Sequence, residues 1–347
     1  MTLGPRVNDL LVRLIGLERR VDPYFRPAFD RVFQRPIATM VQAAINRRRR
    51  HDPPLALAEE RRLPDEDEIA GGITATMAEF TRRTYANALP AQRAGNTKTH
   101  GVLRAEFEIL PDLPAPLSHG LFATPATYRA WIRFAGPGPL APPDIKDNGL
   151  LSIGIKVCGV GGAKLLDDEH ATQDFTGISS PTFTTPNIIE NLQLQHHILR
   201  GTPIFYFLGP RHSHLLDGIM QGLYTKTQLN PLDERYWSCA AYLLGAGQAM
   251  HYSVVPRHRG HTKFPRHPSD NYLREAMAER LKESDAEFDF CVQRQTDPHR
   301  MPVEHDGVEW PERRSPFVPV ARLRIPRQRF DTADQMAFAH NLTYNPW

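Results

Sequence analysis

The chain of 347 residues contains little cysteine and no long apolar run. Its three cysteines, Cys158, Cys239 and Cys291, are odd in number and far apart, so they build neither a disulfide framework nor a Cys-x-x-Cys metal site. No stretch of 18 apolar residues occurs, and the arginines of the first twenty residues lie among the apolar positions rather than ahead of them. The sequence predicts a cytoplasmic protein with neither a signal peptide nor a transmembrane segment.

The net charge is small, and the common nucleotide-binding and hydrolase motifs are missing. The 42 Lys and Arg residues exceed the 39 Asp and Glu residues by only three, which does not indicate a nucleic-acid partner. The sequence has no G-x-x-x-x-G-K-[ST] motif, and GVGGAK (159–164) has the wrong glycine spacing. A G-x-S-x-G elbow is lacking as well, so a serine hydrolase is not indicated.

Proline is abundant, with 31 copies. Because proline interrupts helices and is tolerated at strand edges, this composition indicates a loop-rich, strand-containing fold rather than a helical bundle. Helical spacing predicts a pair of surface helices over 8–45, an exposed linker after the basic run 47–50, and a helix over 69–89. We therefore divide the chain into a helical N-terminal arm with its linker (1–95) and a second domain (96–347).

From residue 101 the apolar period changes from helical spacing to two. In VLRAEFEIL, apolar residues alternate with Arg104, Glu106 and Glu108, which is typical of a strand with one buried face. Similar alternation at 128–134, 152–157, 287–292 and 321–326 predicts a large antiparallel sheet or barrel. Helical patterns interrupt it at 188–200, 214–224 and 272–282, the last behind an N-cap at Ser269 or Asp270.

Histidine, with 15 copies, is the residue type that most readily carries chemistry here. His251, His258, His261 and His267 lie in one segment rich in Arg and Pro, and a zinc or copper site built there is one alternative. The other interpretation gives these histidines solvated or loop-packing roles. His100 lies at the start of a predicted strand. From the local sequence alone, it can be interpreted as a core histidine.

Four motifs occur in the order TKTHGVLRAEFEIL, YRAWIRFAG, LLSIGIKVCGVGGAKLL and TQDFTGISSPTF. From about residue 95 onward this order resembles the catalase family, especially the compact catalase-like haem proteins related to the catalase-like allene oxide synthases. The resemblance implies an α+β fold with an antiparallel β-barrel, inserted helices and an N-terminal arm that wraps a neighbour or the barrel. It also implies haem b, a homo-oligomer, and decomposition or rearrangement of hydrogen peroxide or of organic or fatty-acid hydroperoxides.

Individual positions match the family's site. The resemblance implies that His100 is the distal histidine, which performs acid-base catalysis, and that the Thr99 hydroxyl ties up its ring. It implies that Arg133, with Phe134, neutralises a haem propionate and that Phe183 is the aromatic residue beside the haem face. The alternative is a barrel arginine paired with a carboxylate and an ordinary core phenylalanine.

Other positions depart from the family pattern. Ile178 stands where catalases have the distal asparagine, Ala135 replaces a serine, and Thr97 replaces an arginine. These departures predict poor catalase turnover but leave slower peroxidation of an organic peroxide.

The family's proximal tyrosine, four residues after an arginine, is also missing. Tyr344 has no arginine four residues before it, and we do not expect it to be the axial ligand. We expect either that the chain is truncated after Trp347 or that this member has lost haem. The second functional hypothesis is thus a haem-free, catalase-fold binding or oligomer-interface protein.

Overall fold

A computed structural model describes residues 3–51, 55–88, 91–162, 164–165, 169–209 and 214–346. Trp347, part of the predicted linker and the end of the predicted helix over 69–89 lie outside the described residues. Nine strands form one antiparallel sheet in the order β5-β4-β3-β2-β1-β9-β8-β7-β6. The strands are β1 (Thr99–Ile109), β2 (Thr127–Ala135), β3 (Ser152–Cys158), β4 (Thr172–Ile178), β5 (Tyr236–Ser238), β6 (Tyr242–Gly245), β7 (Gln248–Pro256), β8 (Ala286–Arg294) and β9 (Val318–Ile325).

The sheet closes on itself because β5 pairs with both β4 and β7. Closure leaves an eight-stranded barrel to which β6 is attached through β7. A closed barrel removes the unpaired edges that an open sheet exposes. The predicted α+β fold with an antiparallel barrel is confirmed.

The interior of the barrel is an aromatic and aliphatic core. On β1, Phe107 and Ile109 are buried while Glu106 and Glu108 face water, as the alternation predicted. The ring of Phe107 packs edge-on against Phe290, with 5.3 Å between ring centroids. The alternating strands thus point one face into a single core.

The start of β1 departs from this regular pattern. Thr99 pairs with Ala135 and Gly101 pairs with Phe134, so the register shifts around His100, as in a β-bulge. A Cβ on Gly101 would lie 2.5 Å from the ring of Phe330, so only glycine fits there. His100 therefore lies outside the alternation, and the strand period does not decide where its ring points.

The helices surround the barrel. The N-terminal pair is α1 (Leu3–Phe29) and α2 (Arg35–Arg48), joined by a π-helical turn (Asp30–Gln34). The others are α3 (Glu66–Tyr85), α4 (Ile188–Leu199), α5 (Ile204–Leu208), α6 (Leu215–Tyr224), α7 (Tyr272–Glu283) and α8 (Ala333–Asn341). Among the helices of the described ranges, none is both long and apolar enough to cross a membrane.

Two helix predictions can be compared in detail. The predicted end of α4 is confirmed, since Gly201 follows it with a φ of +71°. The predicted N-cap of α7 is wrong, because Asn271 occupies that position without a side-chain cap. The Ser269 hydroxyl instead donates a hydrogen bond to the Glu275 carboxylate (2.7 Å).

Helix α8 and the described residues that follow it lie on the outside of the barrel. Trp131 of β2, on the face opposite to the core residue Ile132, packs on Phe338 of α8 with ring centroids 4.7 Å apart. The Gln335 side chain donates a hydrogen bond to the Val102 carbonyl (2.7 Å). Helix α8 and residues 342–346 thus cover the outer face of β1 to β4, a contact that the sequence did not predict.

Candidate functional site

A buried arginine lies on this covered outer face. Arg133 of β2 is only 4% exposed, and its guanidinium donates to the Asn96 carbonyl (2.7 Å) and to the Thr99 hydroxyl (2.6 Å). Within the described part of the chain, no carboxylate forms an ion pair with it. Burial, reinforced by the nearby Arg93 cation, lowers the pKa of Arg133 to about 10. A buried cation without a carboxylate partner favours an anionic ligand.

Beside Arg133, a tyrosine ring rests directly on the strand backbone. Gly154 of β3 pairs with Arg133, and a Cβ on Gly154 would lie 2.9 Å from Cζ of Tyr344. The Tyr344 hydroxyl is buried and has no hydrogen-bond partner. Burial raises its pKa far above the ordinary value although Arg133 and Arg93 oppose this shift, so the phenol is neutral. Tyr344 therefore covers Gly154 without balancing the charge of Arg133.

A second arginine, Arg93, holds the covering segment in place. Its guanidinium donates to the carbonyls of His340 (3.1 Å) and Leu342 (2.5 Å), and its Nε is buried without a partner. Sequence reasoning missed Arg93 because it lies ahead of the recognised motifs. Its position next to Arg133 adds to the positive charge of this face.

His100 is buried at the bulge, with 1% exposure. Neither ring nitrogen has a hydrogen-bond partner; the Asp144 carboxylate lies 3.7 Å from Nδ1, too far for a hydrogen bond. Burial lowers the pKa of His100 to about 3, and the cations of Lys98, Arg274 and Arg133 lower it further in the same direction. The imidazole is therefore neutral, and its lone pair is not engaged.

The surroundings of His100 are polar and held rigidly. Arg274 of α7 donates to the carbonyls of Thr99 (2.8 Å) and His100 (3.1 Å), which fixes the backbone of the bulge. Buried Asp144 forms an ion pair with Lys98 (2.7 Å) and accepts a hydrogen bond from the Leu273 amide (2.9 Å). These contacts orient the strand end around the histidine.

The structure brings together three of the five sequence-predicted site residues. Thr99 and Arg133 are in contact, and His100 lies next to Thr99 in the chain. The Thr99 hydroxyl accepts a hydrogen bond from Arg133 and forms none with the His100 ring, contrary to what the resemblance implied. Phe134 points into the barrel core, with its ring centroid 5.7 Å from that of Tyr236, on the side opposite to Arg133.

Phe183 follows β4 in a loop and is half-buried. Its amide donates to the Asp306 carbonyl (2.9 Å), and no contact described in the structure joins its ring to His100 or Arg133. The expected shared pocket of His100, Arg133 and Phe183 stays a prediction. Two surface clefts, of about 740 and 770 Å³, lie elsewhere and are lined by none of these three residues.

The histidine-rich segment brings no cluster of metal-ligating side chains together among the described residues. In the described part of the chain, no three His, Cys, Asp or Glu side chains are grouped to hold a metal ion. His251 Nδ1 is hydrogen-bonded to the Ser238 hydroxyl (2.6 Å), while His258, His261 and His267 are exposed. The arrangement supports the interpretation of these histidines as packing and surface residues.

The donor set can be compared with what a haem requires. The unpaired cation of Arg133 fits a ligand that carries negative groups, and the two unpartnered ring nitrogens of His100 fit a group that exchanges a proton. Gly154 provides a flat contact surface, which Tyr344 now covers. Tyr344 also lies on this face, and its buried phenol is neutral rather than a tyrosinate.

Comparison with known proteins shows the fold. No family model matches the chain, and no curated protein matches it. A bacterial catalase of known structure superposes with a TM-score of 0.52 at 14% identity, over 85% of this chain and 62% of that one. A fungal catalase superposes with a TM-score of 0.57 at 12% identity, over 85% of this chain and 60% of that one.

The chain thus has a catalase-like fold and spans less than two thirds of the length of these two catalases. At such identities the likeness establishes architecture alone.

Proposed function

We propose that this protein is a catalase-like haem protein that acts on hydrogen peroxide or on organic hydroperoxides, including those of fatty acids. Within the family we place it with the compact members related to the catalase-like allene oxide synthases. The observation that carries the proposal is the buried guanidinium of Arg133, which has hydrogen bonds to Asn96 and Thr99 but no carboxylate among the described residues. A haem propionate would supply the missing negative charge through a charge-assisted bond.

His100 is suited to move a proton at the reacting oxygen atoms. Haem, when bound, supplies the redox-active iron at which an O–O bond is broken. The neutral imidazole of His100 has an unengaged nitrogen that can take the proton of a hydroperoxide hydroxyl and return it to the second oxygen. The Arg274 bonds to the backbone of the bulge hold the histidine in position for this step.

Two apolar side chains, at positions where the resemblance implies polar ones, favour slow turnover of a bulky peroxide. Ile178 ends β4 and is 7% exposed, and Ala135, paired with Thr99, is fully buried. Neither side chain can hydrogen-bond a peroxide or the histidine ring. We therefore propose an organic hydroperoxide as the preferred substrate over hydrogen peroxide.

Titration of the protein with haemin, followed by the Soret band, tests the role of Arg133. Replacing Arg133 by Gln removes the charge and weakens haemin affinity by about tenfold or more, since a hydrogen bond to a charged group contributes roughly 1.5–3 kcal/mol. Arg324→Gln, which removes an exposed arginine paired with Asp285, is the matched control and leaves affinity unchanged. Equal affinities of the wild type and Arg133→Gln would refute the proposal.

A second variant separates chemistry from binding. His100→Gln keeps the Arg133 contacts, so haemin binding is retained while hydroperoxide-dependent turnover falls by roughly 100-fold or more, the usual contribution of a positioned acid-base group. A His100→Gln variant with full turnover would exclude His100 as the proton-transfer residue.

One observation supports a second candidate function, a haem-free catalase-fold binding protein. The Tyr344 ring already occupies the contact surface over Gly154. The variant Tyr344→Ala uncovers this surface and is expected to bind haemin more tightly than the wild type. If neither protein takes up haemin, the haem-free function is the correct one.

A further inference from the structure

Helix α1 carries an apolar stripe that faces away from the rest of the protein. The stripe residues are separated alternately by three and four positions, which is the a/d spacing of a heptad repeat. Their exposed fractions range from 38% to 78%. They are Val7, Leu10, Leu14, Leu17, Val21 and Tyr24.

The polar side of the same helix faces the protein body. Arg26 donates to the Thr225 carbonyl (2.6 Å), Asp22 accepts from the Thr227 amide (2.6 Å), and Arg19 donates to Asn148 (2.8 Å). These buried polar contacts fix the rotation of α1. A surface helix normally buries its apolar side and exposes its polar side, so α1 is inverted.

Pro23 supports this arrangement from within the helix. Because proline has no N–H, the carbonyl of Arg19 lacks its partner inside α1. The Thr227 hydroxyl donates to that carbonyl (2.6 Å), so the gap in the helix is filled by the protein body. Pro23 lies outside the a/d stripe and leaves it continuous.

We propose that the α1 stripe pairs with the same stripe of a second copy of this chain, as a parallel two-stranded coiled coil. The heptad positions place Arg13 at g and Glu18 at e, and both side chains are exposed. In a parallel pair, a g residue faces the e residue five positions further along the other helix. Arg13 therefore meets Glu18 of the partner subunit, whereas an antiparallel pair would bring Arg13 and Arg20 against the arginines of the other helix.

The size of the stripe suits a reversible dimer. Its 18 residues extend over about 27 Å. Pairing twelve a/d side chains buries roughly 1,000 Å² in total, near the lower limit for a specific protein interface. The dimer is therefore expected to dissociate on dilution.

Sedimentation velocity over a range of concentrations tests the pairing with the intact chain. Wild-type protein changes from monomer to a species of twice the chain mass as concentration rises. Leu14→Glu buries a charge in the seam of both helices and weakens dimerisation by about 100-fold or more. Ile15→Glu, at an exposed position next to the stripe, is the matched control and leaves the dissociation constant unchanged.

A charge exchange tests the parallel orientation. Arg13→Glu alone places two glutamates together and weakens the dimer, while Arg13→Glu combined with Glu18→Arg restores it. Monomeric wild-type protein at all concentrations would overturn the proposal, as would equal effects of Leu14→Glu and Ile15→Glu. Wild-type monomer that floats with anionic phospholipid vesicles, but fails to do so as Leu14→Glu, would assign the stripe to a membrane surface and also overturn it.

Discussion

A methyl group added at Gly154 is expected to expel Tyr344 from the outer face of the barrel. In Gly154→Ala the new carbon would lie 2.9 to 3.1 Å from three ring carbons of Tyr344. Carbon atoms in contact prefer a separation of about 3.5–4.0 Å. Strand β3 cannot retreat, because Gly154 is paired with Arg133 on one side and Thr176 on the other. The tyrosine ring must therefore move.

The energetic effect combines two opposing contributions. Loss of the buried tyrosine contact costs about 1.5–3 kcal/mol, while replacing glycine by alanine within a strand gains about 0.5–1 kcal/mol from reduced freedom of the unfolded chain. Gly154→Ala therefore lowers the free energy of unfolding by about 1–2 kcal/mol. In a protein that already carries Tyr344→Ala, the same substitution raises it by about 0.5–1 kcal/mol, so the sign reverses.

Urea unfolding of the wild type, the two single variants and the double variant measures this coupling as a double-mutant cycle. Gly161→Ala is the control, since nothing lies within 4 Å of the position that its Cβ would occupy. It leaves the free energy of unfolding unchanged or slightly raised in both backgrounds. A cost of Gly154→Ala that is the same with and without the tyrosine ring would refute the placement of Tyr344.

Three further perturbations have defined outcomes. As pH falls from 6.5 towards 3, His100 of the unfolded chain binds a proton, whereas the folded His100, with its pKa of about 3, does not. The free energy of unfolding of the wild type, measured by urea titration, therefore falls about 1.4 kcal/mol per pH unit more steeply than that of His100→Gln. Equal slopes for the two proteins would contradict this. Lys156→Met leaves buried Asp174 and neighbouring Glu169 without their cation and costs about 3–5 kcal/mol in thermal unfolding, whereas Lys156→Met with Asp174→Leu costs less. Burial raises the pKa of the Cys291 thiol to about 12, so mass spectrometry should find it alkylated by iodoacetamide only after unfolding.

The sequence by itself determined strand β1 and the end of helix α4. The alternation around Arg104 and Glu106 specified β1, because a side-chain period of two puts every second residue into the core. The end of α4 at Gly201 was equally local, since glycine adopts a positive φ at low cost. The local order of motifs also located His100, Thr99 and Arg133 on adjacent strands.

Short strands and the strand interrupted by a bulge were decided by the tertiary structure. β5 and β6 span three and four residues, too few for a period to be recognised. The register shift at His100 depends on Gly101 fitting beneath the Phe330 ring, a contact between residues more than two hundred positions apart. Side-chain spacing along the chain carries no information about such a contact.

The charge balance of the site was likewise a property of the folded chain. The sequence identified Arg133 but not whether a carboxylate pairs with it, nor that Arg93 and Tyr344 come to lie beside it. The heptad spacing of α1 was present in the sequence, yet only the bonds of Asp22 and Arg26 to the protein body show that this stripe faces outward. Burial and pairing arise from contacts between distant segments, because the free energy of a charge depends on everything that surrounds it.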